Sequence, residues 1–210
     1  MAKVTTPTVF VIDDDALLRE AIRALLVSVG HNVETFSSVE EFTIGRDKSR
    51  TSCLVLDVRL PGISGLEFQK LLFASGDPIP TIFISGHGDI PMAVQAIKGG
   101  GLEFLIKPFR DQELLDAVQT ALRRDQERRD AEHMLSEVIE RYSSLTVRER
   151  EIMGFVVRGH INKQIAAATC LSEVTVKIHR GQVMRKMSAA SLPDLVRMAD
   201  KLEKANIWRR

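Results

Sequence analysis

Cysteine is nearly absent: Cys53 and Cys170 are the only two in 210 residues, and they lie far apart. A disulfide framework is thereby excluded, and no Cys/His cluster has the spacing of a zinc site. Both thiols are expected to be free and buried. No run approaches the ~20 apolar residues of a membrane span. Residues 1–7 lack the apolar stretch of a secretory signal. A cytoplasmic protein without membrane contact is expected. Net charge is also small, +1 in total, but it is unevenly spread. Residues 1–122 carry 16 acids against 11 bases, residues 123–142 carry 6 against 5, and residues 143–210 carry 6 against 13. An acidic front and a basic tail predict a regulatory or catalytic unit joined to a nucleic-acid binder.

What is abundant is a set of short apolar runs. Val9-Phe10-Val11-Ile12 leads into Asp13-Asp14, Cys53-Leu54-Val55-Leu56 into Asp57, Thr81-Ile82-Phe83-Ile84 into Ser85, and Glu103-Phe104-Leu105-Ile106 into Lys107-Pro108. A fifth run, around Val33 to Phe36, has no such group behind it. Runs of this length between helix-like stretches read as buried parallel strands. Right-handed crossovers then predict a doubly wound five-stranded α/β sheet over residues 1–122. In such a sheet ligands bind at the carboxyl ends of the strands. Three acids, a hydroxyl and a lysine should therefore meet in one crevice. Three close carboxylates repel one another unless a cation sits among them. Hard oxygen ligands favour Mg²⁺. A carboxylate beside such a cation, with a lysine opposite, suits the acceptance of a phosphoryl group.

Helices are expected near 15–28, 37–46, 64–75, 90–99 and from 111, with Gly30 and Gly45 at the first two ends. Residues 111–142 contain neither Gly nor Pro. Leu115, Val118 and Leu122 form one apolar stripe, and Ala131, Leu135, Val138 and Tyr142 another. The run between them, 123–130, is wholly polar. Two readings stay open: one linker helix crossing solvent over 123–142, or two helices broken at the charged run. Beyond Leu145 no strand pattern occurs, and residues 143–210 read as a small all-α, four-helix domain. Thr146 with Glu149 has capping-box spacing, and Asn162, Ser172 and Ser191 can each cap a helix. A short helix, a tight turn and a longer basic helix make a helix-turn-helix, which places its second helix in the major groove.

In combination these motifs resemble the two-component response regulators of the NarL/FixJ class, a receiver joined to a LuxR-type helix-turn-helix domain. The residues that carry the resemblance are Asp13-Asp14, Asp57 with Leu60-Pro61-Gly62, Ser85-Gly86-His87-Gly88-Asp89 and Lys107-Pro108-Phe109 in the first part. Leu145-Thr146, Glu149-Arg150-Glu151, Asn162 to Ala166 and Thr175 to His179 carry it in the second. The resemblance covers essentially the whole chain. It implies that Asp57 accepts a phosphoryl group from a sensor histidine kinase. Asp14, Asp57 and the backbone carbonyl of Arg59 would bind Mg²⁺, with Asp13 acting through water. Ser85 would hydrogen-bond the phosphoryl group, Lys107 would pair with its charge through a cis Lys107-Pro108 peptide, and Phe104 stands at the family's aromatic switch position. Ordinary strand packing remains an alternative for Phe104. Asp15 is expected to cap the first helix through Arg23, and Gly99-Gly100-Gly101 reads either as a source of backbone freedom or as a cap with a loose loop.

On the recognition helix, Val183, Met187, Arg180 and Met184 lie within about 80° of Val176 and define a core face. Val174, Ile178, Gly181, Gln182 and Arg185 lie opposite, flanked by Thr175 and Lys177. Exposed Val174 and Ile178 suit thymine methyl groups in a major groove, or a protein surface. By the same resemblance, Gly181 stands where some relatives carry a base-reading lysine. His179, Arg180 and Lys163 are expected at phosphates. The expected function is phosphorylation-gated binding to double-stranded promoter DNA, as a homodimer when phosphorylated. Catalysis would be limited to self-phosphorylation and slow hydrolysis. Two alternatives are a haloacid-type phosphohydrolase using Asp13 and Asp15, and a receiver-like module that works by protein contacts alone.

Overall fold

The computed structural model describes residues 6–86 and 90–208. His87, Gly88 and Asp89, the end of the motif begun at Ser85, lie outside the described residues. Five strands, β1 (Thr8–Ile12), β2 (Asn32–Phe36), β3 (Ser52–Asp57), β4 (Thr81–Ser85) and β5 (Glu103–Ile106), form one parallel sheet in the order β2-β1-β3-β4-β5. Five helices alternate with them: α1 (Ala16–Ser28), α2 (Val39–Gly45), α3 (Gly65–Ala74), α4 (Ile90–Lys98) and α5 (Asp111–Ser143). Alternation along the strands builds two cores, because successive side chains leave opposite faces. Val9, Val11, Cys53, Val55, Ile82 and Ile84 pack with α1 and α5 through Ile22, Leu26, Leu114 and Val118. Phe10, Ile12, Leu54, Leu56 and Phe83 pack with α2, α3 and α4 through Phe42, Phe68 and Ala96. Edge-to-face rings of Phe10, Phe36, Phe42 and Phe68 fill that second layer.

Two compact units divide the chain between Arg129 and Asp130, inside α5. The second unit adds α6 (Val147–Val157), α7 (Asn162–Thr169), α8 (Glu173–Lys186) and α9 (Leu192–Lys204). Its core joins Ile152 and Met153 of α6 to Val176 and Val183 of α8 and to Leu195 and Leu202 of α9. Val138 and Tyr142, from the end of α5, complete it.

Several local expectations change. Residues 111–143 are one continuous helix, so the broken-helix alternative falls. Its charged run does not simply cross solvent. Asp125 is 1% exposed, accepts from the Ser52 N–H at 2.9 Å and pairs with Arg128 and Arg129. Gln126 Oε1 accepts from the Thr51 hydroxyl, and Arg129 donates to the carbonyls of Lys48 and Ser49. Polar docking thus takes the place of the missing apolar stripe. Cys53 is buried, but Cys170 is exposed, because it forms the left-handed cap of α7 at φ 54°. Asp15 caps α1 directly by accepting from Leu17 N and Leu18 N, while Arg23 pairs with Glu20. Gly45 ends α2 without a positive φ; a Cβ there would sit 3.3 Å from the Phe36 ring. The three glycines at 99–101 are a cap and a packing contact rather than a loose loop. Gly100 has φ +100°, and a Cβ on Gly101 would meet the Phe83 ring and the Ala96 carbonyl at 2.9 Å.

Candidate functional site

The switch in strand order falls between β1 and β3, and the acids stand at the carboxyl ends of those two strands. Asp13 follows β1 and is fully buried; Asp57 ends β3 and is 6% exposed; Asp14 beside them is exposed. One oxygen from each of the three lies within 4.8 Å of the others. Lys107 Nζ donates to Asp13 Oδ2 at 2.7 Å and to Asp57 Oδ2 at 3.0 Å. Asp13 Oδ1 accepts from Asp15 N, and Asp57 Oδ1 accepts from Arg59 N. Burial pushes the Asp13 carboxyl above the usual range, and Lys107 pulls it back only in part. Burial also draws the Lys107 ammonium down, but its two carboxylate partners outweigh that and hold it above its ordinary value. One ammonium cannot neutralise three acids. The remaining charge and the all-oxygen donor set fit a hard divalent cation.

Ser85 ends β4 and is fully buried, and its carbonyl accepts from the Lys107 N–H at 2.8 Å. This clips the β4 end to the turn that carries Lys107, whose peptide to Pro108 is cis. Phe104 is half-buried on β5, opposite Phe83, against the layer that includes α4. Asp15 is not among the three clustered acids; its carboxylate is committed to the α1 cap, which removes the acid that a haloacid-type site would need. Gly65, the first residue of α3, carries no signal in the sequence. Its N–H donates to the Val58 carbonyl, and a Cβ there would lie 2.3 Å from the Asp57 carbonyl oxygen. Only glycine lets α3 start this close to the Asp57 backbone. Ser64 fixes that start through a capping box with Glu67.

In the second unit α7, the turn at Cys170-Leu171 and α8 form the helix-turn-helix. Val176, Val183 and Met187 are buried as the angular reading predicts. Val174 is 69% exposed and Ile178 58% exposed. Lys163, Lys177, Gly181 and Arg185 are exposed, while Thr175, His179, Arg180 and Gln182 are half-buried. Arg180 donates to Asn162 Oδ1 at 2.7 Å, so Asn162 holds α7 to α8 rather than capping α7. That cap is made by Gln164, whose Oε1 accepts from Ile161 N. The Thr175 hydroxyl pairs with Ser172, the N-cap of α8, and Arg185 donates to Gln182. Lys186 anchors the far end of α8 to buried Glu149 at 2.6 Å.

An acidic crevice on a 2-1-3-4-5 sheet, followed by a helix-turn-helix, is matched by two family models. "Response regulator receiver domain" covers residues 9–119. "Bacterial regulatory proteins, luxR family" covers residues 143–199. The chain belongs to the response regulators. It is similar to Nodulation protein W of Bradyrhizobium diazoefficiens, 50% identical over 94% of this chain and 87% of that protein. It is also similar to the transcriptional regulatory protein FixJ of Azorhizobium caulinodans, 45% identical over 91% of this chain and 90% of that one. Among solved structures, that of response regulator StyR superposes with a TM-score of 0.86 at 47% identity, covering 94% of this chain and all of that chain. This response regulator is thus a transcriptional regulator, with a receiver that implies phosphorylation and a LuxR-type domain that implies DNA binding. Both matched families are regulatory. No helix among the described residues is long and apolar enough to cross a membrane.

Proposed function

We propose that this response regulator is switched by a phosphoryl group on Asp57, delivered by a sensor histidine kinase in the cytoplasm. The observation that carries the reading is the Lys107 ammonium, held between Asp13 and Asp57 at 2.7 and 3.0 Å. An Asp57 oxygen attacks the phosphorus of a phosphohistidine, the P–N bond breaks, and the imidazole takes the electron pair. Lys107 then meets the charge on the phosphoryl oxygens, and the Ser85 hydroxyl donates to one of them. Asp14, Asp57 and the Arg59 carbonyl would hold Mg²⁺, with Asp13 acting through water. That cation would supply neutralisation of the incoming phosphoryl charge. The same groups support self-phosphorylation from a small phosphodonor and slow hydrolysis.

The output is a homodimer on promoter DNA. Exposed Val94, Ile97 and Ile106 give phosphorylated receivers an apolar face on which to pair. On α8, Val174, Lys177 and Ile178 face the bases, with Thr175, Gln182 and Arg185 beside them. Lys163, His179 and Arg180 serve the phosphates. Intact-mass measurement after incubation with acetyl phosphate and Mg²⁺ tests the acceptor. One phosphoryl group should appear on the native chain and none on Asp57→Asn; undiminished labelling of the variant overturns the assignment.

A further inference from the structure

At the amino ends of β4 and β5, away from the acidic crevice, the first unit holds a cavity of about 370 Å³. That volume lies within the ~300–1,000 Å³ of small-molecule sites. Leu72 and Phe73 of α3, Ile79 before β4 and Leu102 before β5 make its walls apolar. Four polar side chains interrupt them: Gln69, Asp77, Arg124 and Arg128. Gln69 is 6% exposed, and its amide lies beside Gly99 and Gly100, with no hydrogen-bond partner among the described residues. The amide opens on the cavity, where a ligand oxygen can take the place of water. Arg124 of α5 lines the same cavity, and its guanidinium has no ion pair among the described residues.

The charges around the cavity select the ligand. Asp77 is taken by two cations, Arg46 at 2.8 Å and Lys48 at 3.1 Å. Asp125 is likewise shared by Arg128 and Arg129, both at 2.6 Å. Each acid is over-neutralised, and Arg124 adds a further positive charge. The surroundings disfavour a cation and favour an anion.

We infer that this cavity binds a small organic carboxylate with a flat apolar body. The carboxylate lies on Arg124, the Gln69 amide donates to it, and the apolar body packs between Phe73, Ile79 and Leu102. A ligand there touches α3, the turn before β5 and α5 together, so it ties the docked stretch of α5 to the sheet. The site does not depend on the phosphorylation chemistry of the opposite end.

The test uses 2-naphthoate, and 2-naphthamide as its uncharged counterpart, titrated into the full-length ¹⁵N-labelled protein. Naphthoate should saturate near or below about 1 mM, with shifts centred on the backbone of Gln69, Phe73, Gly100, Leu102 and Arg124. Naphthamide should bind about tenfold more weakly, and Arg124→Gln should bring naphthoate down to the same level. Arg124 is exposed and unpaired, so the variant keeps the fold, which the unchanged part of its spectrum verifies. No saturable shift, shifts centred elsewhere, equal binding of acid and amide, or full affinity in Arg124→Gln would each overturn the inference.

Discussion

The acids and the lysine of the crevice are visible in the sequence because each breaks an apolar run, and a buried charge needs a partner. Asp13, Asp57, Ser85 and Lys107 do converge at the strand ends as expected. Gly65 was not legible, because its constraint is a close approach to the Asp57 carbonyl that only the completed fold creates. A Cβ at 2.3 Å from a backbone oxygen cannot be absorbed by a rotamer change. Gly65→Ala should therefore destabilise the first unit by about 1–3 kcal/mol and displace the Asp57 backbone. Urea unfolding should show the loss, and acetyl-phosphate labelling of the folded variant should be slower than in the native chain. Native labelling at native stability would mean that α3 can back away freely. Cys170 was misjudged for a similar reason, whereas Asp15 caps α1 as expected, though without Arg23. Cap geometry, not residue type, decides that Cys170 is exposed.

Strands and most helices follow from periodicity, and capping residues place their starts within a residue or two. The continuity of α5 does not. Its central charged run has no apolar period, and its contacts, Asp125 to Ser52 and Gln126 to Thr51, span 73 and 75 residues. Asp125→Ala would leave the Ser52 N–H without its acceptor, next to a Ser52 hydroxyl that has no partner among the described residues. A loss of about 1–3 kcal/mol is expected, with faster amide exchange confined to residues 123–130 and the start of β3. Unchanged exchange there would show that α5 is held by its apolar residues alone. The anchor of α8 gives a pH-dependent prediction. Burial pushes Glu149 up, but Lys186 and the Thr146 N–H outweigh it, so the net effect is a carboxyl held below its ordinary value. A depressed folded pKa stabilises the domain above the unfolded value of about 4.3, and this is lost as pH falls through the folded value. Lys186→Met removes the chief counter-charge. Its urea midpoint should fall most at neutral pH and approach that of the native chain near pH 3. A pH-independent difference would mean that packing, not the ion pair, anchors α8.

At the scale of the molecule, charge is the feature the sequence shows most plainly: net −5 over residues 1–122 and net +7 over residues 143–210. Opposite charges on one chain attract, and salt weakens that attraction over about 10 Å at 0.1 M. Exposed Val174 and Ile178 offer apolar surface on the same helix that should read DNA. A receiver covering that helix would bury both side chains and compete with DNA for the positive face. A phosphoryl group at Asp57 adds negative charge, which by itself strengthens the attraction, so release must come from a change of shape. Ser85 and Phe104 are the groups we propose to pass it on, toward the face formed by α4 and β5. The fragment to compare is 130–210 rather than one begun at 143, because Val138 and Tyr142 belong to the core of the second unit. That fragment should bind promoter DNA without phosphorylation. The intact unphosphorylated chain should bind about tenfold more weakly, a coupling of ~1.4 kcal/mol, and beryllofluoride with Mg²⁺ should close the gap. The deficit should also shrink as salt rises, after correction for the salt dependence of DNA binding itself. Equal binding by fragment and intact chain would rule out masking. Weaker binding by the fragment would assign the receiver a purely positive role, acting through dimerisation.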